Sequence, residues 1–294
     1  RFNPKFDDAY VSRGDARKKQ GDLKGALTDY NEALCLNPQN AIASFSRGNI
    51  YYAQGDLNGA IADYNEALRI FPRYSSAYIA RGRVRQALGD LDGAIDDYNE
   101  ALRIFPGHSS AYFYRGHVRH DQGDLNGAIA DYNEALRLGP QNAKTYFNRG
   151  FARQVQGDLD GAIDDYNEAL RLDPERVSAY GNRGLVRKAQ GDLNGAIADY
   201  NEVLRINPQD ALAYCNRGNI RQIQGDIDDA IADYNEALRL CPQDASAYNN
   251  RGYAYEQQEK IEEALADYES ALRIDPQHER VMNNRANLLK RMNK

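Results

Sequence analysis

The sequence predicts an all-α protein in which eight helix-turn-helix repeats stack into a solenoid, followed by a capping helix at the C-terminal end. The segment GDLNGAIADYNEALR stands at 55–69 and at 123–137, and it returns at 191–205 with Val203 in place of Ala. Of the 24 glycines, all but three occupy three places in one register. Self-similarity at a fixed period indicates a stack of small supersecondary units. The period is 34 residues, which is the spacing between successive members of all nine prolines: Pro4, Pro38, Pro72, Pro106, Pro140, Pro174, Pro208, Pro242 and Pro276.

Each repeat carries the signals for two helices. In the first copy we predict one helix from about Ala9 to Gln20 and a second from about Asp22 to Leu36. Gly21 supplies the left-handed turn conformation between them, and the Asp after it caps the second helix. Pro38 ends the second helix because proline cannot continue the helical hydrogen-bond ladder. The product is a helical hairpin.

Packing residues recur at helical spacing on both helices of the hairpin. Gly14 and Ala26 let the two backbones approach closely, and Tyr30 fills the space beside them. A single hairpin cannot bury these faces, so neighbouring hairpins must stack. The predicted repeats are 7–40, 41–74, 75–108, 109–142, 143–176, 177–210, 211–244 and 245–278, with the remnant of a preceding repeat at 1–6 and a capping helix at 279–294.

The residues at 1–6 bear on what precedes the first repeat. Their sequence, RFNPKF, matches the pattern of RINPQD at 205–210, which is the tail of a repeat. We therefore expect the chain to be cut from a longer array or precursor. The alternative is a short natural leader that fits the pattern by chance.

Several repeated residues carry a family resemblance. The 34-residue period, Gly14, Tyr30, the EAL segment at Glu32–Leu34 and Pro38 resemble the tetratricopeptide repeat, over essentially the whole chain. The recurring NRG and GDLxGAIxDYNEAL motifs are similar to those of bacterial, especially cyanobacterial, arrays. The resemblance implies a right-handed superhelix whose first helices line a concave groove.

The sequence departs from the commonest pattern of that family just before the first Gly of each repeat, where Leu is usual. Arg stands there in every copy, and Asp stands sixteen residues later. Both lie about eight residues from the hairpin turn, so the two side chains are at the same height and can face each other. We predict Arg–Asp bridges, with a row of phosphate-binding arginines as the alternative. The residues are Arg13, Arg47, Arg81, Arg115, Arg149, Arg183, Arg217 and Arg251, and Asp29, Asp63, Asp97, Asp131, Asp165, Asp199, Asp233 and Asp267.

Composition argues against several classes of function. The net charge of −6 disfavours a nucleic-acid binder, because phosphate binding needs a clustered basic surface. No apolar run approaches the roughly 20 residues of a membrane helix, so we expect a soluble protein without membrane insertion. The three cysteines have neither disulfide nor metal spacing, which favours a reduced, cytoplasmic setting. Signature motifs of enzymes are absent, so we expect neither catalysis nor a cofactor.

The second helix of each repeat is copied almost unchanged, whereas the first helix varies. Variation against a repeated scaffold indicates where the copies do different jobs, so the groove is expected on the first helices. It should take the side chains two and three residues before the first Gly, and one, four and five residues after it. We predict aromatic anchors for a partner there, the alternative being packing against the next repeat. The predicted residues are Phe45, Asn49, Tyr52, Ile79, Phe113, Tyr114, His117, His120, Phe147 and Phe151.

A series of asparagines continues this face through the second half of the chain, two residues before the Gly position: Asn148, Asn182, Asn216, Asn250 and Asn284. An amide both donates and accepts, so such a ladder can bind the backbone of an extended peptide whatever its side chains. The family resemblance implies this mode, which is known in peptide-binding arrays. The alternative is that these amides bond neighbouring helices. The family's clamp for chaperone tails is not expected, because no Lys stands three residues before the Gly.

Two smaller features have both a site and a packing interpretation. His117 and His120 share one helix face beside Asp121, where a metal site would need a third ligand from a neighbouring repeat, the alternative being a polar groove lining. Phe71 and Phe105 replace polar residues just before the prolines. They could form an adhesive edge for a partner or for self-association, or pack under the loop.

Together these observations predict a non-catalytic protein–protein interaction scaffold that binds an extended peptide or protein segment in its groove. Two alternatives stay open. The array could be the recognition or regulatory region of a larger enzyme, or a self-assembling module. The partner expected in the main prediction is a protein or peptide, with no metal ion.

Overall fold

The computed structural model of the protein describes residues 5–292, and every regular element in that range is an α-helix. The first helices of the hairpins are α1 (Lys5–Lys19), α3 (Ala41–Ala53), α5 (Ser75–Ala87), α7 (Ser109–Asp121), α9 (Ala143–Gln156), α11 (Val177–Ala189), α13 (Ala211–Gln224) and α15 (Ala245–Gln257). The second helices are α2 (Leu23–Leu36), α4 (Leu57–Ile70), α6 (Leu91–Ile104), α8 (Leu125–Leu138), α10 (Leu159–Leu172), α12 (Leu193–Ile206), α14 (Ile227–Leu240) and α16 (Ile261–Ile274). A last helix, α17 (Glu279–Met292), follows the eighth hairpin.

The chain forms two compact units, residues 1–152 and residues 153–294, and the limit between them falls inside α9. Within each unit, the helices of a hairpin pack against each other, as α1 does against α2, and second helices also pack against the first helix of the next hairpin, as α2 does against α3 and α10 does against α11. The predicted all-α class and helix-turn-helix repeats are thus confirmed, with α17 packed on α16. Residues 1–4 of the predicted remnant lie outside the described residues, and α1 begins at Lys5 rather than at the predicted Ala9.

The turn inside a hairpin depends on two glycines and an aspartate. Gly21 has a φ of 84°, in the left-handed region that favours glycine. Asp22 caps α2, because its Oδ1 accepts a hydrogen bond from the Gly25 backbone N–H at 2.8 Å. A Cβ atom on Gly25 would lie 2.0 Å from Oδ2 of that carboxylate. The second glycine therefore leaves room for the cap.

The eighth hairpin makes the same turn without these residues. Glu259 stands at the left-handed position with a φ of 60°, and it is the one non-glycine residue with positive φ in the described range 5–292. Lys260 replaces the capping Asp and makes no side-chain hydrogen bond to the start of α16. This turn therefore carries local backbone strain that the other turns avoid.

A tyrosine from each second helix fills the centre of its hairpin. In the first repeat, a Cβ atom on Gly14 would lie 2.7 Å from Tyr30 Cε1, so the first helix can approach the ring only where it has no side chain. The eight equivalent rings are each at most 2% exposed: Tyr30, Tyr64, Tyr98, Tyr132, Tyr166, Tyr200, Tyr234 and Tyr268. The packing interpretation of these positions is therefore confirmed.

A buried carboxylate ties each hairpin together. Asp97 on α6 accepts hydrogen bonds from Arg81 on α5, from Nε at 2.9 Å and from Nη2 at 2.5 Å. Arg85, one turn further along α5, approaches the same carboxylate through Nη1 at 3.1 Å. The remaining Nη1 of Arg81 donates to the side-chain oxygen of Asn65 on α4, in the preceding hairpin, at 2.7 Å. One arginine thus joins two repeats.

The same bridge recurs along the chain, which confirms the predicted Arg–Asp pairing. The further bridges are Arg13–Asp29, Arg47–Asp63, Arg115–Asp131, Arg183–Asp199, Arg217–Asp233 and Arg251–Asp267. Hydrogen bonding from Arg13 holds the pKa of Asp29 below its usual value. A carboxyl group with a lowered pKa stabilises the fold at neutral pH, and this contribution is lost as the pH falls through that pKa.

Removing one buried carboxylate should cost far more than removing an exposed one on the same helix. We expect Asp97→Ala to lower the free energy of unfolding by about 3–5 kcal/mol, because Arg81 and Arg85 lose their common counter-charge. The matched control is Glu100→Ala, which removes an exposed pair with Arg103 on α6 and should cost at most about 1 kcal/mol. Urea unfolding followed by circular dichroism measures both. Equal losses in the two variants would contradict a structural role for the buried pair.

The turn of the eighth hairpin offers the opposite change. We expect Glu259→Gly to stabilise the protein by about 1 kcal/mol, because glycine adopts the left-handed conformation without a steric penalty. Glu259→Ala keeps a Cβ atom and should give no comparable gain. Thermal unfolding of the two variants beside the parent chain is the measurement, and a glycine variant that unfolds earlier than the parent would count against this account of the turn.

Candidate peptide-binding face

Within each unit, the first helices of successive hairpins form a surface that we call the first-helix face of that unit. In the first unit it is built from α1, α3, α5, α7 and the part of α9 up to residue 152, and in the second unit from α11, α13, α15 and α17. Several neighbouring first helices touch directly: α1 and α3, α3 and α5, and α5 and α7 in the first unit, and α13 and α15, and α15 and α17, in the second. Side chains at the positions predicted for the groove can therefore meet across repeats, and each unit is described separately below.

In the first unit, three of these side chains stack across three repeats. The guanidinium of Arg83 lies 4.9 Å from the ring centre of Tyr52 and 5.1 Å from that of Tyr114. The Tyr114 ring in turn stacks on the buried Tyr98 at 6.0 Å. Cation–π contacts of this kind hold an arginine in place, and Arg83 also donates from Nη2 to the Tyr52 hydroxyl at 3.5 Å. The sequence places Arg83 one residue after Gly82, a predicted groove position, although the aromatic pattern alone did not single it out.

The predicted phenylalanine anchors are not equally accessible. Phe113 and Ile79 are buried in the core, where Phe113 contacts the Tyr132 ring at 6.0 Å. Phe45 is half-buried against Tyr74 at 4.8 Å. The position three residues before the Gly therefore faces the junction between repeats, because a first helix turns that side toward its neighbour. The prediction of a continuous aromatic strip there is better described as core packing for Phe113 and Ile79.

Phe147 and Phe151 lie on α9, one turn apart. Phe147 is half-buried, whereas Phe151 is exposed and its ring centre is 5.3 Å from that of His120. Of the predicted phenylalanines, Phe151 is therefore the most available to a partner.

The two histidines of α7 sit in a hydrogen-bonded cluster. The Nδ1 atom of His117 lies 2.9 Å from the Gln86 amide nitrogen and 3.2 Å from the Asp121 carboxylate. His120 lies beside the same Asp121, at 3.6 Å, and its Nε2 is buried without a hydrogen-bond partner among residues 5–292. Within that range no three His, Cys, Asp or Glu side chains form a group that could hold a metal ion.

The predicted amides of the first unit have different environments. Asn49 accepts a hydrogen bond from the Tyr64 hydroxyl at 2.9 Å, so part of its capacity serves the core. The amide nitrogen of Asn148 is buried and has no partner in the described part of the chain.

In the second unit, several of the predicted ladder amides bond to residues of neighbouring helices. Asn250 donates to Asn219 on α13 at 2.9 Å, and Asn284 donates to Asn249 on α15 at 2.9 Å. Asn182 is hydrogen-bonded to the Tyr166 hydroxyl. Asn216 is half-buried at the edge of a cavity. The amides therefore both connect neighbouring helices and border open space.

That cavity, which we call the Gly181 cavity, has a volume of 160 Å³ between α11, α12 and α13. Gly181, Leu185, Tyr200, Leu212 and Asn216 are among the residues that line it. A Cβ atom added to Gly181 would meet nothing within 4 Å. The sequence signal that could have found it is a glycine at a position where every other repeat carries a side chain, which is Phe or Ile in the second to fifth repeats.

A second and more polar recess, which we call the Lys188 depression, has a volume of 480 Å³. Its lining includes Lys188 on α11, Asn219 and Gln222 on α13, Asn250 on α15 and Arg280 on α17. Each of α11, α13, α15 and α17 therefore contributes to its lining. Lys188 lies four residues after Gly184, at a predicted groove position that the aromatic and amide patterns passed over.

Away from this face, the loops after α4 and α6 expose two large apolar side chains. Phe71 is 50% exposed and Phe105 is 53% exposed. Each ring touches the residue that precedes the next first helix, Tyr74 at 5.8 Å and His108 at 5.8 Å. Half of each side chain packs under its loop, and the other half faces solvent.

Family models identify the repeats. A model described as TPR repeat matches residues 14–55, 48–89, 116–157, 154–191, 184–225 and 218–259, and two models described as Tetratricopeptide repeat match residues 75–108 and 245–278. The chain belongs to the tetratricopeptide repeat (TPR) family. No curated protein matches it, and none of the described helices of this TPR protein is long and apolar enough to cross a membrane.

Solved TPR structures share this fold. YrrB, described as a TPR protein with an unusual peptide-binding site, is 23% identical with a TM-score of 0.58, over 64% of this chain and 97% of that chain. MamA is 27% identical with a TM-score of 0.55, over 58% of this chain and 94% of that chain. A tetratricopeptide repeat protein from Parabacteroides merdae is 21% identical with a TM-score of 0.59, over 85% of this chain and 99% of that chain.

Proposed function

We propose that this TPR protein is a non-catalytic interaction scaffold that binds an extended segment of a partner protein along its first-helix face. The observation that carries the proposal is the contrast between the two helices of each repeat. On the second helices, the repeated residues are the buried tyrosine and the Asp and Asn that accept hydrogen bonds from the bridging Arg. First helices present side chains that differ from repeat to repeat, and only these can tell one partner from another.

The chemistry of the face supports a peptide as the ligand. Aromatic rings and a guanidinium gather in the first unit, at Tyr52, Arg83 and Tyr114. Amides border recesses in the second unit, at Asn216 and Asn250. Aromatic and arginine side chains dominate binding hot spots, and amides can pair with peptide groups of any sequence.

One of the similar solved structures supports this type of ligand. YrrB is described as having a peptide-binding site, and its similarity to this chain, at 23% identity, is a similarity of fold. The peptide itself is our proposal for this protein. The chain also lacks the sequence motifs of an enzyme, and a solenoid of repeats supplies a long surface rather than a closed active-site pocket.

Replacing the central amides should weaken partner binding without unfolding the protein. We expect the triple variant Asn182→Ala, Asn216→Ala and Asn250→Ala to lose at least about tenfold in affinity, because a hydrogen bond contributes roughly 0.5–1.5 kcal/mol. The measurement is recovery of co-purifying proteins on the immobilised chain, quantified by mass spectrometry. The helical circular dichroism signal should stay unchanged.

A matched triple variant on the opposite helices is the control. Glu168→Ala, Glu202→Ala and Glu236→Ala remove exposed carboxylates at the same 34-residue spacing on second helices. Partners retained by this control and lost by the amide variant support recognition through the first-helix face. Equal retention by both variants contradicts it, and loss of the helical signal in the amide variant assigns these amides to the fold.

Self-association is a second candidate function, which the exposed rings of Phe71 and Phe105 favour. If these loops join two copies, the molar mass from light scattering should exceed that of one chain and return to it in the double variant Phe71→Ser and Phe105→Ser. A parent chain that is monomeric at all concentrations tested removes this candidate.

A further inference from the structure

The Gly181 cavity exists because one side chain is missing. Three residues before the first Gly of a repeat, other copies carry a large side chain such as Phe45, Ile79 or Phe113, and two of these are buried. At Gly181 the space is open to at least 4 Å beyond a Cβ position. Glycine inside a helix is less favourable than alanine. Its presence in α11 therefore weakens the helix and leaves open a volume that a Phe or Ile side chain occupies in the second to fifth repeats.

One of the residues that line the same cavity, Tyr200, carries a hydroxyl group without a hydrogen-bond partner in the described part of the chain. Tyr200 is only 2% exposed. Equivalent hydroxyls bond to the residue one or four places after the Gly, as Tyr64 does to Asn49 and Tyr268 does to Glu256. In the sixth repeat Leu185 and Lys188 hold these two places, and neither side chain can accept a hydrogen bond.

A buried polar group without a partner is costly, so this hydroxyl points to a ligand that completes it. Burial raises the pKa of Tyr200, which keeps the hydroxyl protonated and able to donate. A backbone carbonyl oxygen of a bound segment is the acceptor that any peptide provides.

The mouth of the cavity is suited to an apolar side chain on a peptide. Leu212 is 69% exposed at the rim, and Leu185 beside it is also exposed. Asn182 and Asn216 lie at the same border, where their amides can reach the backbone of a segment. The volume of 160 Å³ is close to that of cavities that accept a benzene-sized group. Asp210, whose carboxylate caps α13, also lines the cavity and disfavours an acidic occupant there.

The neighbouring Lys188 depression has the opposite character. Lys188 and Arg280 line it together with several amides, and no acidic side chain of the described residues is part of its lining. Two cations without a carboxylate are unusual in a chain with a net charge of −6, in which most arginines of the repeats are paired with Asp or Glu. Charge complementarity therefore selects a carboxylate for this recess.

The two recesses adjoin along α11 and α13. On α11, Leu185 lines the cavity, and Lys188, three residues later, lines the depression. On α13, Asn216 lines the cavity, and Asn219, three residues later, lines the depression. Packed helices lie about 8–10 Å apart, and an extended chain rises about 3.3 Å per residue. One segment can thus reach both recesses with side chains two to four residues apart.

We infer that the Gly181 cavity and the Lys188 depression are two subsites for one extended peptide segment, which places a large aliphatic or aromatic side chain in the cavity and an Asp or Glu carboxylate in the depression. This inference rests on the proposed function and specifies the partner. The acidic residue lies two to four positions from the apolar one. The Tyr200 hydroxyl donates to a carbonyl oxygen of the segment.

The test is a selection of random peptides displayed on phage against the whole chain, followed by fluorescence anisotropy with the enriched peptides. We expect enrichment of a large apolar residue with Asp or Glu two to four positions away. Gly181→Phe fills the cavity as Phe45 and Phe147 occupy their own positions, and should weaken binding by roughly tenfold or more. Gly181→Ala adds one methyl group into open space and should bind within about twofold of the parent. The double variant Lys188→Gln and Arg280→Gln should weaken binding and reduce its dependence on salt.

The outcomes separate this inference from the proposed function. Some peptides could bind the parent but not the triple amide variant, with an affinity that Gly181→Phe leaves unchanged. Such peptides would overturn the cavity subsite while the scaffold function stands. Peptides without an acidic position, or binding unchanged in the Lys188 and Arg280 variant, overturn the second subsite. Failure to enrich any peptide overturns both proposals. Circular dichroism and the unfolding midpoint must match the parent for each variant, and Gly181→Ala shows whether position 181 tolerates a side chain at all.

Discussion

Each hairpin is closed around a buried carboxylate, and the residues around it are arranged to satisfy its charge. Asp97 receives two hydrogen bonds from Arg81 and a third contact from Arg85. A buried charge is tolerated only when its partners are held in good geometry, so the first helix must sit at a fixed height beside the second. Because Arg81 also reaches Asn65, the same charge fixes the stacking of one repeat on another.

This division of labour is the reason for proposing that the binding surface lies on one helix of each pair. The second helix supplies the carboxylate, the tyrosine and the asparagine of the bridge, and changing any of them would disturb two repeats. The first helix contributes the arginine and the glycine, but the side chains at its outward positions are not needed for these contacts within and between repeats. Energies in a repeat array add mostly between nearest neighbours, so a departure such as Gly181 weakens one junction and leaves distant ones intact.

Much of the fold followed from the sequence, because a period repeated eight times averages out local ambiguity. The Gly21 turn, the Asp22 cap and the Arg81–Asp97 pair were each predictable from position alone. The site was predictable only in part. Phe113 is buried although its place in the repeat suggested the groove, since that place faces the next hairpin and its exposure depends on the neighbour. Asn250 bonds to Asn219, a pairing that depends on how two repeats meet. A cavity is harder still to predict, because it is a property of atoms that are missing.

The comparison of Tyr98 with Tyr200 shows why the proposal of a binding subsite at the Gly181 cavity needs more than one observation. Both hydroxyls are buried without a partner in the described residues, so an unsatisfied tyrosine alone does not mark a site. In the third repeat, Ile79 occupies the position that Gly181 leaves open, and it is buried there. An unsatisfied hydroxyl under a filled junction can only be a local cost of folding. The sixth repeat combines the same cost with an open volume, apolar groups at its rim and two cations beyond it, and a bound segment is the one event that would satisfy all four.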